Sequence, residues 1–325
     1  MSNLIVLTGA TGFLGRHLCR ALLAHGYDIA AFRRPASDLA RLGPDAQRVR
    51  WHLAPEQLEA PFRGPQAPLA VIHCAALYGR KGETPAQLIE ANTLLPVRLY
   101  RLAAERGVPA FLHTDTILDP GLNPYALSKH QAAQWLRLLA GPTRVLNLRV
   151  QHFYGPHDDP IKFITHLIAQ CLAHAPDIPL TDGRQRRDFI FVSDVVSAML
   201  ALLQSGADVS PGSCGGAGVS PASSMGVSPV SFGQDAQATG AFAEVQIGSG
   251  EPVAVRELAE LIHKLTGSRS RLLFGALPYR PGEPMLTCAD TAPLRALGWR
   301  PLVPLAEGLT RTIEAQRAAG PNRER

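Results

Sequence analysis

A chain of 325 residues that is 46% hydrophobic can bury a sizeable core, as one large domain or two intimate ones. The net charge of +5 is mild and the basic residues form no run, so no nucleic acid is expected as a partner; no stretch nears the roughly 20 apolar residues of a membrane span, and MSNLIVLTGATG lacks a signal peptide's basic flank, so a cytoplasmic protein without membrane insertion is expected. Cys19, Cys74, Cys171, Cys214 and Cys288 are scattered, with no C-x-x-C pair and no histidine at ligand spacing; they read as reduced thiols, and no metal is expected.

Strand-length apolar segments run at 4–9, 28–32, 69–76, 110–114 and 144–150, alternating with helical patterns. The first helix, in RHLCRALLAHG, has Leu18, Leu22 and Leu23 on one stripe and Gly26 as a stop. Further helices read at 89–106, 125–140, 161–174, 193–204 and 255–266. Such alternation implies an α/β fold, a doubly wound parallel sheet with helices on both faces. From about 151 onward short segments and Pro-Gly turns suggest an appended smaller substrate-binding domain. Residues 205–240, rich in Gly, Ser, Ala and Pro with Val-Ser-Pro three times, are expected to form a disordered low-complexity insertion.

Gly9, Gly12 and Gly15 form G-x-x-G-x-x-G where the first strand ends and the first helix begins. Glycine suits a turn that bends sharply, approaches a pyrophosphate and packs its helix on the strand, with helix N-terminal amides facing the phosphates. This is a Rossmann-type dinucleotide site, which places the dinucleotide-binding domain at 1–150 and 188–204 and the substrate domain at 151–187 and 241–318. NAD enzymes of this build hold an acid at the end of the second strand; here stand Arg33 and Arg34, which suit the 2′-phosphate of NADP(H). NADP(H) is therefore the expected cofactor, with NAD(H) the lesser choice; two merely solvated arginines are the alternative reading.

Tyr125 and Lys129 form Y-x-x-x-K within NPYALSKHQAAQWL, one turn apart on one helix face. A tyrosine with an ordinary pKa of roughly 10 needs help to move protons near neutrality, and a neighbouring ammonium favours its phenolate. Read alone, such a pair is usually an exposed helix pair; placed after a glycine turn and several βα units, it becomes specific.

TGATGFLG, FLHTDT, Tyr125 with Lys129, and RDFIFVSDVV in this order resemble the extended short-chain dehydrogenase/reductase family, the NAD-dependent epimerases and dehydratases of nucleotide sugars. Within it the chain is most similar to 4-ketoreductases of the CDP-abequose synthase type, which act in deoxysugar biosynthesis for lipopolysaccharide O-antigen. The resemblance implies that Thr116, Tyr125 and Lys129 are catalytic. It implies a cofactor site built from Gly9, Thr11, Gly12, Phe13, Leu14, Gly15, Arg33, Arg34, Ala75, Ala76 and Asn92, together with Tyr125 and Lys129. It assigns His152, Arg187 and Arg280 to a nucleotide-sugar substrate, and it is compatible with a homodimer. Asn92 could otherwise be a plain polar helix residue, and Arg187 a structural ion-pair partner.

Departures from the family narrow the activity. Dehydratases follow their catalytic Thr with Asp-Glu, whereas Ile117 and Leu118 follow Thr116 here. The GDP-fucose synthase type places a proton-moving Cys where Leu118 stands, and 4-epimerases keep an acid where Arg33 stands. His52 lies near the position of the family's adenine-side Asp, and Asp115 has no assigned role. NADPH-dependent reduction of a 4-keto group on a nucleotide-linked deoxysugar is the expected activity. The alternatives are an epimerase with a retained cofactor and a non-catalytic dinucleotide-sensing protein.

Overall fold

The computed structural model describes residues 2–205 and 241–320. Apart from Ser205, the expected insertion lies outside the described residues. Seven strands form the central sheet: β1 (Leu4–Thr8), β2 (Asp28–Arg33), β3 (Val49–Leu53), β4 (Ala70–His73), β5 (Ala110–Thr116), β6 (Arg144–Val150) and, much later in the chain, β10 (Phe242–Ile247). All pair in parallel, in the order β10-β6-β5-β4-β1-β2-β3. The chain reverses direction of winding between β1 and β4, which opens a crevice at the carboxyl ends of those strands.

The inner strands are near-continuous apolar runs because both of their faces are covered. On one face Ile5, Leu7, Ile72, Leu112 and Leu146 pack under α1 (Phe13–Ala24) and α6 (Val192–Gln204). On the other, Val6, Val71, Phe111 and Val145 meet Leu99, Tyr100 and Ala103 of α3 (Leu95–Arg106) and Leu136 of α4 (Pro124–Leu139). Alternate residues of each strand thus feed two separate cores.

A second lobe contains the short strands β7 (His152–Tyr154), β9 (Arg186–Phe191) and β11 (Pro252–Ala254), joined as one sheet in the order β11-β9-β7. It also contains the pair β8 (Asp177–Leu180) and β12 (Arg271–Phe274), with α5 (Phe163–Leu172), α7 (Val255–Thr266), α8 (Ala292–Ala296) and α9 (Leu305–Ala318). Asp188 of β9, fully buried, binds this lobe together by accepting from the backbone N–H groups of Ser249, Gly250 and Ala289. Among the described residues no helix is long and apolar enough to cross a membrane.

Three features differ from expectation. β10, within the stretch expected to build the substrate domain, completes the main sheet as its edge; pairing with β6 satisfies an edge that β6 would otherwise expose. β3 adds the opposite edge, a VRWHL that alternates apolar and polar residues and carries no continuous apolar run to betray it. The helix expected over 89–106 is three pieces: α2 (Pro85–Ile89), entered through a Thr84/Gln87 capping box, a π-helical turn over Glu90–Leu94, and α3. Pro96 lacks an N–H and crowds the carbonyl four residues back, which the wider π turn accommodates.

Candidate active site

The glycine turn joins β1 to α1. Gly9 has φ of +73°, and a Cβ there would come within 2.7 Å of the Ala75 nitrogen, so the turn and the backbone beyond β4 nearly touch. A Cβ on Gly15 would lie 2.0 Å from the Gly9 carbonyl oxygen, which fixes the helix against the turn. Gly12 caps α1 without a side-chain hydrogen bond, leaving the N–H groups of the first turn to other acceptors. Thr11 and Phe13 flank it half-buried, Leu14 is buried, and Ala75 and Ala76 form the facing wall after β4. Those residues fit a dinucleotide pyrophosphate: close backbone, no Cβ in the way, and uncapped helix amides.

Arg33 is the last residue of β2 and Arg34 the first beyond it, where the exposed backbone N–H donates to Ser37 Oγ. Asn92 sits in the π turn, fully buried. Its Oδ1 accepts from the Leu77 N–H at 2.8 Å, and its Nδ2 donates to the Leu77 carbonyl and to Ser128 Oγ. It clamps the loop after β4 to α4, a positioning role rather than that of an idle polar residue.

Thr116 ends β5, and Tyr125 lies in the first turn of α4, which Asn123 caps by accepting from the Ala126 N–H. The Thr116 hydroxyl lies close enough to that of Tyr125 to act on its pKa. Burial pushes the Tyr125 phenol above its ordinary range, reinforced by the Tyr78 phenol and the Asp115 carboxylate; the Thr116 hydrogen bond and the Arg80 guanidinium oppose this more weakly. The Tyr78 ring lies against that of Tyr125, centroids 4.8 Å apart. Asp115 faces inward: Oδ1 accepts from the Thr116 N–H at 2.7 Å and Oδ2 from Asn147 Nδ2 at 2.9 Å, so it fixes the backbone that carries Thr116.

Lys129 is fully buried, and burial lowers its pKa to about 8 against the pull of Asp115 and Cys74. Its Nζ lies 3.3 Å from Nε2 of His113 on β5. The expectation that this ammonium would draw down the Tyr125 pKa is not met, because the lysine is not among the charges that set it. His113 stacks on His73 of β4, and His73 Nδ1 is 2.9 Å from Thr8 Oγ1. Sequence reasoning missed both histidines. Each sits two residues past a buried apolar strand residue, on the sheet face that α4 covers, and strand register brings the two together.

In the second lobe His152 registers beside Phe189, and burial with the nearby Arg187 lowers its pKa to about 4. Arg187 is itself buried and ion-paired to Glu283, within the turn where the Glu283 N–H donates to the Arg280 carbonyl. These three predicted residues therefore share one lobe, with the Arg280 side chain exposed. Among the described residues no three His, Cys, Asp or Glu side chains could hold a metal.

A family model, the NAD dependent epimerase/dehydratase family, matches residues 5–213. The chain belongs to this family, the extended short-chain dehydrogenase/reductases. It is 27% identical over 318 residues to CDP-abequose synthase of Salmonella muenchen, covering 95% of this chain and 96% of that one. It is 24% identical over 335 residues to a putative UDP-glucose 4-epimerase of Methanocaldococcus jannaschii, covering 95% and 97%. The structure of MoeE5 in complex with UDP-glucose and NAD superposes with a TM-score of 0.71 at 26% identity, covering 97% of this chain and 99% of MoeE5. The chain is thus an oxidoreductase-type enzyme of the epimerase/dehydratase family.

Proposed function

We propose that the protein reduces a keto group at C4 of a nucleotide-linked deoxysugar, with NADPH as its preferred cofactor. The observation that carries this reading is the Thr116–Tyr125 hydroxyl pair, whose phenol is pushed upward by burial. A protonated phenol can supply the proton that carbonyl reduction takes up, whereas a route that begins with oxidation must take a proton from the substrate. Ile117 and Leu118, next along the chain, add no proton-transferring group, and both oxygens of Asp115 are engaged by Thr116 and Asn147.

The Gly9–Gly15 turn would hold the cofactor pyrophosphate, Arg33 and Arg34 its 2′-phosphate, and Ala75, Ala76 and Lys129 its nicotinamide half, with Asn92 ordering the loop beneath it. Bound there, NADPH supplies the hydride. Thr116 orients the carbonyl oxygen and Tyr125 gives its proton to that oxygen as negative charge develops on it. Lys129 would bind the nicotinamide ribose. His152, Arg187 and Arg280 hold the nucleotide-sugar substrate, with guanidinium contacts to its phosphates. Arg187 then exchanges its ion pair with Glu283 for the substrate.

Relatives named for CDP-linked and UDP-linked sugars support the substrate class. The same reading includes a homodimer formed through the apolar outer face of α4. Purified protein incubated with CDP-, dTDP- and GDP-linked 4-keto deoxysugars is expected to consume NADPH in proportion to product. Interconversion of sugar epimers without net NADPH loss would establish the epimerase instead. Tight dinucleotide binding without turnover of any sugar would favour the sensing protein.

A further inference from the structure

Thr8, His73, His113 and Asn147 stand in register on four neighbouring strands, β1, β4, β5 and β6, all on the face covered by α4 and all essentially removed from solvent. Hydrogen-bond counting fixes where the histidine protons sit. Thr8 Oγ1 accepts from the Cys74 and Ala75 N–H groups at 3.2 and 3.1 Å, which uses both of its lone pairs. Its single hydrogen therefore goes to His73 Nδ1, and the His73 proton must be on Nε2, which is buried without a hydrogen-bond partner. An ammonium only donates, so His113 Nε2 accepts from Lys129 and the His113 proton is on Nδ1, also buried without a partner.

We propose that His113 is the positioning residue for Lys129, a neutral acceptor that holds the lysine Nζ at the site while the stacked His73 shares its uncharged state. The proposal rests on the ketoreductase reading only in that Lys129 serves that reaction. The rings lie 5.3 Å apart and within 14° of parallel, and burial together with the Lys129 charge drives both far below the ordinary histidine range. One positive charge, on the lysine, is all this cluster carries. A carboxylate in place of His113 would grip that charge and raise the lysine pKa; a neutral ring holds the Nζ while leaving its proton mobile near pH 8. Asp115 and Cys74 are the other groups acting on Lys129, and Asp115 is already committed to Thr116 and Asn147.

Loss of the acceptor removes a hydrogen bond to the charged lysine, so its pKa must fall further. In wild type, NADPH affinity followed by fluorescence is expected to weaken as pH rises through about 8. In His113→Leu that fall is expected about one pH unit lower. His113→Gln, whose Oε1 reaches the place of Nε2, is expected to restore it. Two-bond proton–nitrogen spectra of the cofactor-free wild type are expected to show His113 neutral and protonated on Nδ1, whether or not the leucine variant folds. An Nε2-protonated His113, an unmoved limb in folded His113→Leu, or a glutamine variant that behaves like leucine would overturn the proposal. Failure of the ketoreductase reading would show instead as no sugar turned over, with these readouts intact.

Discussion

Burial pushes the Tyr125 phenol upward, and four neighbours that also bear on it lie on different elements. Tyr78 comes from the loop after β4, Asp115 and Thr116 from β5, and Arg80 from beyond Tyr78, over whose ring its guanidinium sits at 5.4 Å. Tyr125→Phe removes the acid and keeps the ring contact with Tyr78. Single-turnover reduction is expected to fall by roughly 10²–10⁴ with the NADPH dissociation constant nearly unchanged. Equal single-turnover rates would remove the tyrosine from the mechanism. At the other end of the cofactor site, Arg33→Ala combined with Arg34→Ala is expected to lower the kcat/KM preference for NADPH over NADH by about tenfold or more. Each charged contact to a phosphate contributes about 1.5–3 kcal/mol. Unchanged discrimination would return both arginines to the surface.

The polar row beneath the site belongs to the sheet rather than to any one residue, and its effect on stability has a definite sign. His73 and His113 have folded pKa values well below the roughly 6.5 of an unfolded chain, because burial and the Lys129 charge oppose protonation. Their contribution is complete above about pH 6.5 and is lost as pH falls, since the unfolded chain then binds protons that the fold rejects. Urea denaturation is expected to give about 2–3 kcal/mol less stability at pH 5.5 than at pH 7.5 from these two groups alone. His113→Gln is expected to lessen the measured loss by about half of that share, roughly 1–1.5 kcal/mol; an equally steep loss in the variant would assign it elsewhere. Elements of this kind were only partly legible in the sequence. β1, β4, β5 and β6 announced themselves because strands buried on both faces are nearly continuous in apolar residues, and Gly9, Gly12 and Gly15 because a tight turn tolerates little else. β10 alternates buried and half-buried residues and follows the low-complexity stretch, so nothing local ties FAEVQI to β6. The histidine pair was illegible for a related reason: His73 and His113 are 40 positions apart, and only strand register makes them neighbours.

Across the whole molecule the proposed site would draw on both lobes, the glycine turn and Tyr125 from the main sheet and the His152, Arg187 and Arg280 group from the smaller lobe. One large surface takes no part in it. Helix α4 buries Lys129, Ala132, Ala133 and Leu136 against the sheet, while Leu127, Trp135 and Leu138 on its opposite side are 45%, 50% and 61% exposed. An outer helix face is ordinarily polar, and a tryptophan with two leucines within an 80° arc departs from that. A two-fold axis across α4 would bring the same three side chains of a second copy against them, the self-complementary arrangement of most homodimers. Light scattering at micromolar concentration is expected to give the mass of two chains for the wild type. Trp135→Glu with Leu138→Glu is expected to give one, because opposed carboxylates would repel across the axis where apolar surface had been buried. Both substitutions lie outside the core, so the variant's melting transition should remain cooperative and its NADPH binding measurable. A wild type that stays monomeric at those concentrations would end the homodimer reading and leave the α4 face without an assigned partner.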